Sequence, residues 1–234
     1  MKKGLFFILY VLHTTTIFSQ EIQLHFDPRH ALHSDVTPRN YFTVTFQGAI
    51  NDKLGSTYGF IDMDFNRSKG NIGLAYLELK RDFTFRHFPL MTHIEFNGGI
   101  SLGQNDSGFS IPNAYMAGIA YKPFSKQNIT TYLLYKYNAF EKSSNDVQLS
   151  CMWAHTFLKG KFTLSGFVDI WTENKDRVNG LGGKKIILLT EPQVWLNLNR
   201  HFAVGSEIEI SNNFYARYKN KVYICPTIAL KWIL

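Results

Sequence analysis

Between Lys161 and Glu173 the chain reads KFTLSGFVDIWTE. Phe162, Leu164, Gly166, Val168 and Ile170 share one parity, and Thr163, Ser165, Phe167, Asp169, Trp171 and Glu173 share the other. Side chains of an extended segment point alternately to its two faces, so this stretch predicts a strand with one apolar face and one face that mixes acids with aromatics. The pattern recurs at residues 21–27, 40–47, 56–65, 72–81, 91–98, 113–121, 129–138, 147–156, 161–171, 186–196, 202–211 and 222–234. Only turn-sized gaps separate these segments, and none has a convincing helical period. A soluble sandwich also alternates, but repeated acids and aromatics on the polar face predict lipid outside and a wet lumen inside. The expected fold class is therefore all-β, a transmembrane antiparallel β-barrel of about twelve strands.

The connections support this reading. After odd strands they are long, at residues 28–39, 99–112, 172–185 and 212–221, and after even strands they are short, at 157–160 and 197–201. Long loops on one side and short turns on the other are the asymmetry of outer-membrane barrels, although the link at 82–90 fits less well. Pro192 and Pro226 fall inside predicted strands, where each removes a ladder hydrogen bond. Either a bulge absorbs each proline or the register slips by one, which would exchange lumen and lipid faces around Glu191 and Gln193. In the last strand Ile224, Ile228, Leu230, Trp232 and Leu234 share one parity.

Residues 1–19 have the form of a secretory signal peptide: Lys2 and Lys3, then a short apolar run from Gly4 to Leu12. That run is too short to cross a bilayer as a helix, and no later one is longer. The expected division is a signal peptide at 1–19 and a barrel at 20–234. A mean hydropathy of −0.14 with 15% aromatics is compatible with strands wetted on one side. Net charge is +7, or +5 once Lys2 and Lys3 are removed, but bases such as Lys122, Lys159, Lys184 and Lys221 are dispersed among turns and strand ends. Dispersal argues against a groove for nucleic acid and for cationic rims facing anionic headgroups. Cys151 and Cys225 lie in strands that should not be neighbours, which predicts free thiols.

Polar parity assigns Asp62, Asp64, Glu78, Glu95, Asp169, Glu173, Glu191, Glu207 and Glu209 to the lumen, against the bases Lys80, Lys136 and Lys231. Tyr58, Phe60, Tyr76, Phe167, Trp171 and Trp195 are interleaved with them. Some acids will pair with bases across strands simply to pack the interior, but nine acids against three bases leave a surplus of negative charge. Aromatic faces stack on flat heterocycles, carboxylates accept hydrogen bonds from hydroxyls and amines, and an acidic pore disfavours anions. A small, neutral, flat, hydroxyl-bearing solute suits such a lumen.

The segments IDMD (Ile61 to Asp64), HIEFNGG (His93 to Gly99), SGFVDIW (Ser165 to Trp171), TEPQVWLNL (Thr190 to Leu198), VGSEIEISNNF (Val204 to Phe214) and the ending ALKW resemble the nucleoside-specific channel-forming outer-membrane proteins (Tsx-like), and an uncharacterised branch of that superfamily in particular. The resemblance covers essentially all of the expected mature chain. It implies a twelve-stranded barrel with a narrow pore and nucleoside sites along the lumen, and it carries over Asp62, Glu95, Asp169, Glu191, Glu207 and Asn213.

The function expected is an outer-membrane channel for passive uptake of small neutral solutes, nucleosides the best candidate, acting as a monomer. Outer-membrane lipid and the barrel-insertion machinery, which reads the C-terminal strand, are the other expected partners. The lumen set is Asp62, Asp64, Tyr76, Glu78, Glu95, Phe167, Asp169, Trp171, Glu191, Glu207, Glu209 and Asn213. The alternatives are a non-conducting structural or adhesive barrel and, third, a barrel phospholipase, for which no serine matches His155 in parity. Neither enzyme activity, a cofactor nor a metal is expected; His25, His30 and His33 lack tight ligand spacing and read as a solvated loop.

Overall fold

The computed structural model describes residues 17–85, 88–103, 107–124, 128–142, 144–215 and 220–234. Fourteen strand segments form one antiparallel sheet: β1 (Ile17–Asp27), β2 (Tyr41–Asp52), β3 (Gly55–Asp64), β4 (Leu74–Thr84), β5 (Leu90–Leu102), β6 (Gly108–Phe124), β7 (Ile129–Asn138), β8 (Asp146–Phe157), β9 (Phe162–Asn174), β10 (Lys184–Thr190), β11 (Gln193–Asn197), β12 (Phe202–Asn212), β13 (Val222–Pro226) and β14 (Ile228–Ile233). β10 and β11 are halves of one barrel strand, as are β13 and β14, so the sheet is a closed barrel of twelve staves. Closure comes from β14, which pairs with β1 on one side and β12 on the other. β1 opens at Ile17, inside the stretch read as a leader; residues 1–16 lie outside the described residues. No helix among the described residues is long and apolar enough to cross a membrane.

The period of two sets the two surfaces. Leu77, Leu79, Ile94, Ile119, Leu133, Leu149 and Ile170 form an exposed aliphatic belt on the outer face. Rings flank it: Phe157 stacks on Phe162 and Phe202 on Trp232 at the end holding the short turns, while Tyr115, Tyr135 and Tyr137 lie toward the other. An aliphatic band between aromatic girdles is the surface that a bilayer requires of a barrel. The final strand follows suit, with Ile224, Ile228, Leu230, Trp232 and Leu234 exposed.

Both prolines sit in one cross-barrel row. Pro226 pairs with Ile208 of β12, and Pro192 falls opposite Ile208 on the other side, its carbonyl accepting from the Ile208 N–H at 3.0 Å. Neither proline shifts the register. β10 and β11 keep the same offset against β12 (Leu188 with Asn212, Gln193 with Glu207), and so do β13 and β14 (Ile208 with Pro226, Gly205 with Ala229). The bulge and slip considered from the sequence are both absent here, and Glu191 and Gln193 remain on the inner face. Gly166 of β9, at φ +150°, makes room: a Cβ there would lie 2.6 Å from the Glu191 carbonyl oxygen and 2.9 Å from the Pro192 Cα. A bulge occurs instead between Asn97 and Gly99, where β5 meets Pro112 of β6. The loop expected at 99–112 is correspondingly shorter, because β5 runs on to Leu102 and β6 begins at Gly108. Its Gly, Ser and Asn content reads as a loop, yet the two strands pair through it (Ile100 with Ser110, Leu102 with Gly108).

Long loops and short turns segregate as expected. Loops 28–40, 65–73 and 175–183 stand at one end with residues 213–215 and 220–221, and turns 53–54, 158–161 and 198–201 at the other, together with Ile17 and Leu234. Cys151 and Cys225 are free thiols.

Candidate functional site

The inner faces build the site. The register places Asp62 beside Thr45 and Tyr76, Asp64 beside Thr43, Glu78 beside Phe60 and Asn97, and Glu95 beside Lys80 and Met116. Phe167, Asp169 and Trp171 face in from β9, opposite Met152, Ser150 and Gln148. Glu207 and Glu209 face in from β12, opposite Gln193 and Cys225. All the strand-borne candidates thus share the lumen with the expected bases. Asn213 does not join them. It lies beyond the end of β12 at φ 58°, its amide donates to the Ile186 carbonyl at 3.0 Å, and its side-chain oxygen accepts from the Asn220 N–H at 2.7 Å. It is a loop cap, and the motif match that carried it over reached one residue past the strand.

The lumen has two unlike sides. On β6 and β7, Ala114, Met116, Ala120, Tyr132 and Leu134 pack with Met91 and Met152 into an apolar cluster. Opposite it, β3, the β10–β11 break and β12 present Asp62, Asp64, Glu191 and Glu207, and β9 adds Asp169. Thr45 donates to Asp62 at 2.5 Å, Thr43 to Asp64 at 2.7 Å and Gln193 to Glu207 at 2.5 Å. Among the described residues no basic side chain is within ion-pair distance of these five acids. Asp62 and Asp64 face in from β3, Glu191 from the β10–β11 break, Glu207 from β12 and Asp169 from β9, so carboxylates from separate walls line one lumen. The proline row brackets this layer: Glu191 precedes Pro192, Glu207 precedes Ile208, and Thr227 follows Pro226.

Every lumen lysine is already engaged. Lys80 is 2.8 Å from Glu78 and 5.0 Å from the centre of the Tyr58 ring. Lys136 donates to Gln148 at 3.0 Å and lies 4.4 Å over Trp171. Lys231 is 2.9 Å from Glu21 and 4.1 Å over Trp195. A carboxylate or amide on one side and a ring face on the other leave these ammonium groups little to offer an anion. Gly205 makes the third arrangement possible, since a Cβ there would sit 2.6 Å from the Trp195 ring. Tyr58, Phe60 and Tyr76 form an aromatic strip with centroids 6.1 and 5.9 Å apart.

Several lumen residues escaped the sequence reading. Glu21, Gln23, His25 and Asp27 line the inner face of β1, where simple parity would have found them. His25 is a correction: it is buried, 2.8 Å from Gln23 and 3.1 Å from Thr227, not in a solvated loop. His30 and His33 are likewise tied, to the carbonyls of Thr37 and Ile224. His93 lies between Asp82 and Glu95 at 2.7 and 3.0 Å; Asp82 was missed because β4 runs three residues past the predicted end. At the turn end Glu21, Thr156, Thr163, Asn197, Arg200 and Lys231 border a polar vestibule of about 320 Å³.

At the loop end, the loop after β1 is tied to the loop after β12. Lys221 lies 2.6 Å from Asp35, and Tyr223 donates to the same carboxylate at 3.0 Å. The Lys221 ammonium holds Asp35 below the ordinary carboxylate range, and Asp35 in turn raises Lys221. A depressed acid stabilises above its unfolded pKa and loses this as pH falls through the folded value; a raised base does so below its own and loses it as pH rises. The tie should hold from about pH 4 to about pH 10. Spin labels on Ser34→Cys and Asn220→Cys, with the native cysteines replaced, should move apart below that window, and Lys221→Ala should separate them at pH 7.

A family model matches residues 19–234, and its description is "Domain of unknown function (DUF5020)". The chain belongs to the DUF5020 family. This DUF5020 barrel is similar to a solved NanC porin, with a TM-score of 0.57 at 8% identity over 92% of this chain and all of that one. The outer-membrane channel DcaP of Acinetobacter baumannii gives 0.48 at 6% identity over 94% and 97%. The Acinetobacter baumannii outer-membrane protein Omp33 gives 0.44 at 11% over 93% and 97%. None of the curated proteins compared with the chain matches it. The likeness to the porin is one of fold, and it bears out the closed antiparallel β-barrel expected from the sequence. The family found is DUF5020, and the matches do not extend the resemblance to the nucleoside channels beyond the barrel.

Proposed function

We propose that this DUF5020 barrel is a passive outer-membrane channel for small neutral solutes, with nucleoside-like molecules the leading candidates. The observation that carries the reading is the wall of five acids without basic partners among the described residues, set in a lumen where Lys80, Lys136 and Lys231 are each engaged. A phosphorylated solute meets repulsion from the acid wall and finds Lys80, Lys136 and Lys231 already engaged, whereas a neutral solute finds carboxylate acceptors and the Tyr58–Phe60–Tyr76 faces. The barrel acts as a monomer in outer-membrane lipid, its C-terminal strand is the segment that the insertion machinery reads, and no catalytic role is proposed.

A second reading, a barrel that does not conduct, draws support from the Met116, Tyr132 and Leu134 cluster, which fills one side of the lumen. Swelling of proteoliposomes separates the two. Uridine should enter protein-loaded vesicles well above the rate of empty ones, and uridine monophosphate at least about tenfold more slowly than uridine, since its charge faces several unpaired carboxylates. Equal rates for both would overturn the acidic-filter reading, and entry of neither would favour the filled barrel.

A further inference from the structure

One lumen cation does not stand on a stave. The loop after β1 starts with a short helix, α1 (Arg29–Leu32), and Arg29 turns back into the entrance. Its backbone N–H donates to Asp27 Oδ1 at 2.8 Å and its Nε to Asp27 Oδ2 at 2.7 Å. Nη2 lies 2.6 Å from Asp27 Oδ2 and 3.1 Å from Glu209 Oε2, and Nη1 donates to the Tyr215 hydroxyl at 2.5 Å. The Tyr215 hydroxyl and Ser211 in turn donate to Glu209, and the guanidinium lies 5.6 Å from the centre of the Tyr41 ring. Residues from β1, β2, β12 and two loops therefore fix one positive charge in one place.

The charge reaches further than its contacts. Glu209, which Arg29 holds at 3.1 Å, stands two residues along β12 from Glu207 on the same inner face, so the guanidinium borders the acid layer. Asp27 and Glu209 would otherwise bring the entrance two more negative charges directly above that layer, and with Arg29 they bring a net of one. The same loop is held at two further points, His33 to the Ile224 carbonyl and Asp35 to Lys221.

We infer that Arg29 is a specificity-determining residue of the pore, a tethered counter-charge that sets how strongly the loop-end entrance favours cations over anions. The inference rests on the channel reading above and deepens it. A fixed charge a few ångströms from the ion path alters the local concentration of each ion by about a factor of two to three at a water-like dielectric, in opposite directions for cation and anion.

The test is the zero-current potential of single channels in a potassium chloride gradient, with folding checked by heat-modifiable gel migration. Arg29→Gln should raise the potassium-to-chloride permeability ratio about fivefold, and Arg29→Lys should leave it near the wild-type value. Asp27→Asn with Glu209→Gln, which leaves Arg29 in place, should lower it below wild type. Opposite shifts from the two kinds of neutralisation are what charge control requires, whereas simple loosening of a structural pin would move both variants the same way. An unchanged ratio in Arg29→Gln, or same-direction shifts, would overturn the inference and leave the channel reading standing. Absence of steps from every form, wild type included, would overturn the channel reading and this inference with it.

Discussion

Neutralising Asp62, Glu191 and Glu207 together should reduce the cation preference of the open pore by about tenfold or more. Each carboxylate contributes about RT to the energy of a small ion passing within several ångströms at a water-like dielectric, and three such terms multiply in the permeability ratio. None of the three has a base within ion-pair distance among the described residues, so their amide counterparts strand no buried cation. The side-chain donors of Thr45 and Gln193 keep an oxygen to bond in Asp62→Asn and Glu207→Gln. Folding should therefore survive, and heat-modifiable migration should match wild type. The pair Asp169→Asn and Glu207→Gln should give a smaller shift in the same direction. A folded triple variant with wild-type selectivity would show that these acids do not face the ion path.

The outer surface makes the second large prediction. Leu133 stands at the middle of β7, is 51% exposed, and lies between Ile119 and Leu149 in the aliphatic belt. Leu133→Arg should destabilise the barrel in lipid by about 2–4 kcal/mol, the cost of a cation on the lipid face at the bilayer midplane. Val222, equally outward but at the rim where β13 begins, should cost about 1 kcal/mol or less as Val222→Arg. Urea titrations of barrels folded into vesicles measure both. Equal penalties at the two positions would contradict the assignment of belt and rim.

These contrasts also show what the sequence made legible. Alternation alone located the staves, most of the lumen acids and the apolar outer face, because a period of two allows only two assignments per strand. It erred where the pattern changed its meaning. Residues 99–102 and 108–111 carry loop-like residues but remain paired, since the β5–β6 ladder continues on both sides of a bulge. Pro192 and Pro226 looked like possible register faults, yet each costs only its missing donor, and the ladder bonds around them persist: the Pro192 carbonyl accepts from the Ile208 N–H at 3.0 Å and the Thr227 N–H donates to the Glu207 carbonyl at 2.8 Å. Only the three-dimensional pairing shows that both prolines flank Ile208 and frame the acid layer.

The site was half legible for a related reason. Inward parity found nine of the lumen acids and missed Glu21, Asp27 and Asp82, and which acids are neutralised depends on partners distant in sequence: Glu21 with Lys231, Glu209 with Arg29, Glu173 with Lys185. Arg29 itself lies in a loop, where no strand parity applies, and its placement follows from Glu209 and Tyr215 on the far side of the chain. Asn213 shows the converse error, a motif residue whose polar groups are used to close a loop.

The central claim is a conducting lumen with an acidic filter, and single-channel recording of the refolded wild-type protein in a planar bilayer tests it most directly. With potassium chloride concentrated on one side, small steps should appear whose zero-current potential has the sign of cation selectivity, and adding uridine should make them flicker closed. Steps selective for chloride would contradict the account, and so would a folded, heat-modifiable barrel that gives no steps at all.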